Sequence, residues 1–168
     1  NPSTTALSRG GGQEKGLRPG TENLAGICAM NRALEDALAS LDERYSQILA
    51  FRCKIQTTLK DIGLKMLSPE SGTGKDFSPY IVCASVKPVP SEVFLRVMAD
   101  KGFCLSAGSA CSSNAKGKAE GVLAGMNVEP MDRRSSIRIS CGSGTTEEDV
   151  DLLCEALRTT YKELGYGR

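Results

Sequence analysis

A chain of 168 residues with 40% hydrophobic and 24% charged side chains has the composition of an ordinary folded domain, long enough to bury roughly 70% of its unfolded surface. Its 21 basic and 20 acidic residues leave a net charge of +1, which offers no electrostatic footprint for nucleic acid. No apolar run approaches the roughly 20 residues of a bilayer helix, and Asn1 to Ser8 lacks the charged-then-apolar pattern of a signal peptide, so the expectation is a cytoplasmic protein with no membrane partner.

The chain opens in a polar segment that runs into Gly10-Gly11-Gly12 and then Gln13-Glu14-Lys15-Gly16-Leu17-Arg18-Pro19-Gly20-Thr21-Glu22-Asn23. So many glycines and a proline predict a loop, and a chain that starts in a loop reads as a piece of a larger structure. From Leu24 to about Leu59 apolar residues recur near a 3.6 period at Leu34, Leu38, Leu41, Tyr45, Ile48 and Leu49. This predicts one long helix, or two joined near Ser40, with Thr21 or Asn23 as its cap. Gly63 ends the region.

Lys65 to Leu67 is predicted as a short strand and the Ser-, Gly- and Pro-rich stretch 68–78 as a loop. Tyr80 to Val86 is β-branched and apolar, which predicts a buried strand stopped by Pro88 and Pro90. A helix from Ser91 to about Lys101 turns Val93, Phe94, Val97 and Met98 to one side, with Gly102 as its stop. A short strand at Phe103 to Ser106, an extended loop at Ala107 to Gly121 and a short helix at Val122 to Met126 follow. Ser135 to Ser140 alternates and predicts a strand. Thr146-Glu147-Glu148-Asp149 predicts a capped helix reaching Leu164, with Val150, Leu153, Leu157 and Tyr161 inward. The order suggests an α+β domain, a small sheet covered by helices.

The seven cysteines are Cys28, Cys53, Cys83, Cys104, Cys111, Cys141 and Cys154. They are odd in number and form no CxxC pair, which argues against a disulfide framework or a Cys-rich metal site. No histidine is present, so neither a Cys-His nor a Ser-His pair can be built from this chain alone. Among the thiols, Cys111 stands apart. Gly108, Ser109, Ala110, Ser112 and Ser113 around it are small and offer little packing, and Lys116 and Lys118 would favour its thiolate. A surface loop with an incidental thiol fits the same residues. Cys83, in an apolar strand run, and Cys154, in an amphipathic helix, read as small core hydrophobes, and a packing role is also expected of Cys104 and Cys141.

Three stretches together resemble the family of PLP-dependent cysteine desulfurases, in aminotransferase class V. They are Gly10 to Asn23, Ser106-Ala107-Gly108-Ser109-Ala110-Cys111-Ser112-Ser113, and Ser135 to Ser140 followed by Thr145-Thr146-Glu147-Glu148-Asp149. Their order and spacing match the family over nearly all of the chain from Gly10. Arg9 departs from it, since relatives often carry His before the glycines.

The resemblance implies the small C-terminal domain of a fold-type I PLP enzyme. It divides the chain into 1–23, the end of the large domain; 24–60, a connecting helix; and 61–168, the small domain with the Cys loop. It implies pyridoxal 5′-phosphate as cofactor, with the attachment lysine upstream of this chain, so that the chain alone is expected to be inactive. It implies Cys111 as the sulfur-accepting nucleophile, Arg138 as the residue that holds the substrate carboxylate, and Thr21 as a ligand of the partner subunit's PLP phosphate. L-cysteine, a sulfur acceptor such as an iron-sulfur scaffold, and a homodimer are the implied partners. By residue type alone Arg138 fits better an arginine pointing outward from an edge strand, and Thr21 fits a helix cap equally well. A selenocysteine lyase, a generic class V aminotransferase and a non-catalytic dimerisation or docking module are the alternatives.

Overall fold

The computed structural model describes residues 5–6, 8–69, 77–107 and 122–165. The chain divides into two compact units, Asn1–Leu41 and Asp42–Arg168. In the first, the Gly-rich stretch forms a 3-10 turn at Gln13–Gly16, with Glu14 and Lys15 both in the left-handed region. Helix α1 (Leu24–Ala39) follows. Asn23 caps it, its Oδ1 accepting from the Gly26 N–H at 3.1 Å. Of the two caps expected, Asn23 fills the position and Thr21 lies before it. No residue of α1 is buried; Leu24, Ile27, Met30, Leu34 and Leu38 stand 45–70% exposed along one stripe.

Helix α2 (Leu41–Asp61) leads into the second unit. There, short strands β1 (Lys65–Met66), β2 (Ile81–Ser85), β3 (Ser106–Ala107) and β4 (Ser136–Ser140) form an antiparallel sheet in the order β1-β2-β4-β3. The remaining helices are α3 (Ser91–Asp100), α4 (Val122–Gly125), α5 (Pro130–Arg134) and α6 (Glu147–Glu163). The unit is α+β, as expected.

The core lies on one face of the sheet. Val82 and Ala84 of β2 and Ile137 and Ile139 of β4 are at most 3% exposed. They meet Ile55 and Leu59 of α2, Phe94 and Met98 of α3, and Val150, Leu153 and Leu157 of α6. Side chains of a strand alternate between faces, so the residues between these point the other way. Helix α6 is held at its start by a capping box: Thr146 Oγ1 accepts from the Asp149 N–H at 3.1 Å, and Asp149 Oδ2 accepts from the Thr146 N–H at 2.9 Å. The Thr146 N–H bond, first among the causes, draws the Asp149 carboxyl below its ordinary pKa.

The two-helix option joined at Ser40 is the one adopted, and the inward residues expected of α6 are all buried. Three local expectations shift. The strand expected at Phe103 to Ser106 is confined to Ser106–Ala107, because the Phe103 N–H still bonds Met98 O beyond the end of α3. Helix α5 went unread; with five residues and Pro130 at its start it is too short for periodicity to betray. Of the four apolar residues expected on one side of α3, only Phe94 and Met98 are buried, while Val93 is 46% exposed.

Candidate functional site

Strand β4 is an inner strand and carries Arg138 at its centre. Its register partner on β2 is Cys83, and its partner on β3 is Ser106. Residues directly opposite in an antiparallel pair share a face, with Cβ atoms about 4.5–5.5 Å apart. Cys83, Arg138 and Ser106 therefore form a row across the face opposite the core. Arg138 is exposed, while Cys83 and Ser106 are half-buried. Arg138 makes no hydrogen bond or ion pair with another described residue. Its guanidinium, a planar fork suited to two carboxylate oxygens, is held by the sheet at its root and open at its tip.

Arg52, on α2, behaves in the opposite way. It is 3% exposed, stacks 4.3 Å over the Phe77 ring, and donates to Ile81 O, Pro69 O and Ser78 O. Burial lowers its pKa, against a smaller raising effect of Cys53. Its donors are spent on backbone carbonyls, so it fastens the segments near residues 69 and 78–81 and has no fork left for a ligand. The helical pattern around Phe51 gave no sign that an arginine would be buried there.

In the first unit, Arg18 fastens the loop before α1: its Nη1 donates to Thr21 O at 2.7 Å and to Gly20 O at 3.4 Å. Gly20 has φ +102, a conformation that side chains resist, so this turn needs a glycine. The Thr21 side chain is exposed, and its hydroxyl bonds to no other described residue. A free hydroxyl just before the N-terminus of a 16-residue helix suits a phosphate group. Thr21 belongs to the first unit and Arg138 to the second. Cys111, with Lys116 and Lys118, lies outside the described residues.

Of the thiols expected to pack, Cys154 is 3% exposed and does so. Cys104 is exposed and Cys141 half-buried, and both line a cavity of about 390 Å³ with Phe103, Ile139, Asp149 and Leu153. Burial pushes the Cys141 thiol up, with Cys154 adding to the rise. Cys104 therefore does not pack as expected, and sequence reasoning also misplaced Cys83. Its run of apolar neighbours suggested a buried strand, but the alternation Val82-Cys83-Ala84 puts it on the Arg138 face. Burial raises its pKa and the Arg138 charge opposes the rise. Among the described residues no group of three or more His, Cys, Asp or Glu side chains converges to hold a metal ion, and no helix is long and apolar enough to cross a membrane.

The sequence model of the family Aminotransferase class-V matches residues 5–153. The chain is 33% identical over 157 residues to a NifS/IcsS protein homolog of Lactobacillus delbrueckii, covering 93% of this chain and 40% of that protein. It is 31% identical over 160 residues to the cysteine desulfurase IscS of Clostridium botulinum, covering 94% of this chain and 39% of that protein. Among solved structures, a NifS-like protein from Rickettsia africae superposes with a TM-score of 0.75 at 26% identity, over 94% of this chain and 40% of its own. Another NifS-like protein gives 0.74 at 28% identity, over 96% and 39%. The chain thus spans about 40% of the length of these relatives.

Proposed function

The chain belongs to the aminotransferase class-V family, and we propose that it is the C-terminal portion of a PLP-dependent cysteine desulfurase that turns L-cysteine into L-alanine and takes the sulfur as a persulfide on Cys111. The observation that carries the reading is Arg138, exposed and unpaired among the described residues at the centre of β4 on the face opposite the core, with Ser106 as its register neighbour. Cys111 follows Ser106 by only five residues, a tether of at most about 18 Å when fully extended. A carboxylate anchor and a thiol on a short leash are the two parts this reaction asks of the small domain.

In this reading Arg138 binds the carboxylate of cysteine through its fork and fixes the substrate's orientation. Cys111 as thiolate attacks the substrate sulfur; the S–S bond forms as the substrate C–S bond breaks, and the carbon product takes up protons to leave as alanine. PLP, when bound, supplies the electron sink that makes the C–S bond breakable. Thr21, with its free hydroxyl before α1, would hold the phosphate of that cofactor, on the partner subunit of a homodimer. Residues 1–23 would close the large domain, 24–60 connect the domains, and 61–168 form the small domain. The persulfide passes to an acceptor such as an iron-sulfur scaffold, in the cytoplasm, where thiols stay reduced.

In the complete protein carrying its PLP, Cys111→Ser is expected to abolish persulfide and alanine formation from L-cysteine while the absorbance of bound PLP is retained. Mass spectrometry of the enzyme after one turnover, alongside alanine quantification, reads both. Alanine production at the wild-type rate in the variant would overturn the assignment.

A further inference from the structure

The row Cys83–Arg138–Ser106 sets a second thiol beside the arginine that the proposed function uses as a carboxylate anchor. The register fixes this neighbourhood without reference to Cys111: Cys83 and Arg138 are Cα partners on adjacent strands, and their side chains leave the sheet on the same face. The thiol is half-buried and the guanidinium exposed, and Ile81, two residues along β2, is 42% exposed on the same face. The Cys83 backbone is fastened from the β1 side, its N–H donating to Ser68 Oγ at 3.1 Å and its carbonyl accepting from the Leu67 N–H at 2.8 Å. This holds the Cys83 backbone at its register position beside the arginine.

We propose that Cys83 is a modification site for carboxylate-bearing disulfides, above all cystine, the oxidised form of the proposed substrate, and that the resulting mixed disulfide occupies the Arg138 anchor. In the exchange, the Cys83 thiolate attacks one sulfur of cystine. A new S–S bond forms between Cys83 and a half-cystine, the S–S bond of cystine breaks, and the second half leaves as free cysteine carrying the proton that Cys83 gave up. Cystine is the oxidant, and no other is required. The half-cystine carboxylate sits three bonds beyond the new disulfide, a reach comparable to the cross-strand spacing of about 5 Å. Arg138 can therefore grip it without any movement of the strands. Burial works against the Cys83 thiolate and the Arg138 charge works for it, so one residue serves both the exchange and the binding of its product. The consequence is self-limitation: as cysteine oxidises, its disulfide fills the anchor that cysteine would use. This inference rests on the reading of Arg138 as a carboxylate anchor.

The test treats the reduced chain with cystine or with cystine dimethyl ester, which keeps the disulfide and the amines but masks the carboxylates. Peptide mapping by mass spectrometry follows the adduct at each cysteine with time. At Cys83 cystine is expected to react about tenfold faster than the ester, the size of one charge-assisted hydrogen bond. Arg138→Gln brings that ratio to about one, and the ratios at the exposed thiols Cys28, Cys53 and Cys104 do not change. An unmodified Cys83, equal rates with the two reagents in the wild type, or a preference that survives Arg138→Gln would each overturn the proposal. A second measurement separates this from the anchor itself: binding of unreactive S-methyl-L-cysteine to Cys83→Ser, by NMR, with and without Arg138→Gln. Arg138-dependent binding there, with Cys83 of the wild type unmodified, keeps the anchor and removes the thiol. No binding removes both.

Discussion

Along β2 and β4, two surfaces alternate residue by residue. Val82, Ala84, Ile137 and Ile139 face the helices and are almost wholly buried, whereas Cys83 and Arg138, between them in sequence, face away. The same strands thus hold the unit together with one set of side chains and present chemistry with the other. The core face needs only apolar volume, and many residues satisfy it. The other face needs one arginine at one register position, placed by a backbone that the core has already made rigid. A one-residue slip would exchange the sets, so packing of the core face is what positions Arg138.

The sharpest way to break this comparison is to substitute neighbours in sequence. Ile137→Ala should cost about 3 kcal/mol in urea unfolding, since it empties a fully buried position between the sheet and its helices. A loss below about 1 kcal/mol would mean that this face is not the core.

A smaller effect is expected at Asp132 on α5. Its buried carboxylate accepts from Lys65 Nζ at 2.5 Å and from Ser85 Oγ at 2.9 Å, tying α5 to the β1–β2 side of the sheet. The Lys65 hydrogen bond, ahead of Ser85 and the nearby lysine charges, holds its pKa below the ordinary carboxylate value, against the effect of burial. A depressed carboxyl contributes stability that is fully present above the unfolded pKa of about 3.9 and is lost as pH falls through the lower folded value. Asp132→Asn should lower stability by about 1–2 kcal/mol at neutral pH and flatten its fall below about pH 4. Unfolding curves that stay parallel for the two proteins down to pH 3 would sink this account.

The smallest effect belongs to Arg138. Arg138→Ala should change stability by less than about 0.5 kcal/mol, because the side chain is exposed and makes no hydrogen bond or ion pair with a described residue. A large loss would show that it is part of the fold and not free for a ligand.

Much of the second unit was legible in the chain. Val150, Leu153, Leu157 and Tyr161 follow the helical period, and Thr146 with Asp149 spells the cap, so α6 could be read almost to the residue. The motif stretches, taken together, pointed to the family that the comparisons bear out. Helix α5 was not legible, because five residues hold too little pattern. Nor was the burial of Arg52: charge argues for solvent, and only the convergence of three carbonyls and the Phe77 ring makes a buried guanidinium acceptable. Helix α1 marks another limit. Its pattern states an apolar stripe as clearly as that of α6, yet the first unit buries none of it. Periodicity reports a face and is silent about what covers it.

By itself the sequence determined the longer elements and their order, the cap of α6 and the family, because propensity, periodicity and motif spacing act within a few residues or as a linear string. Only the tertiary structure decided that Cys83 stands beside Arg138. They are separated by 55 positions in the chain, and nothing local relates them. The pairing of β2 with β4 does, and that register is set by which residues the three helices agree to bury.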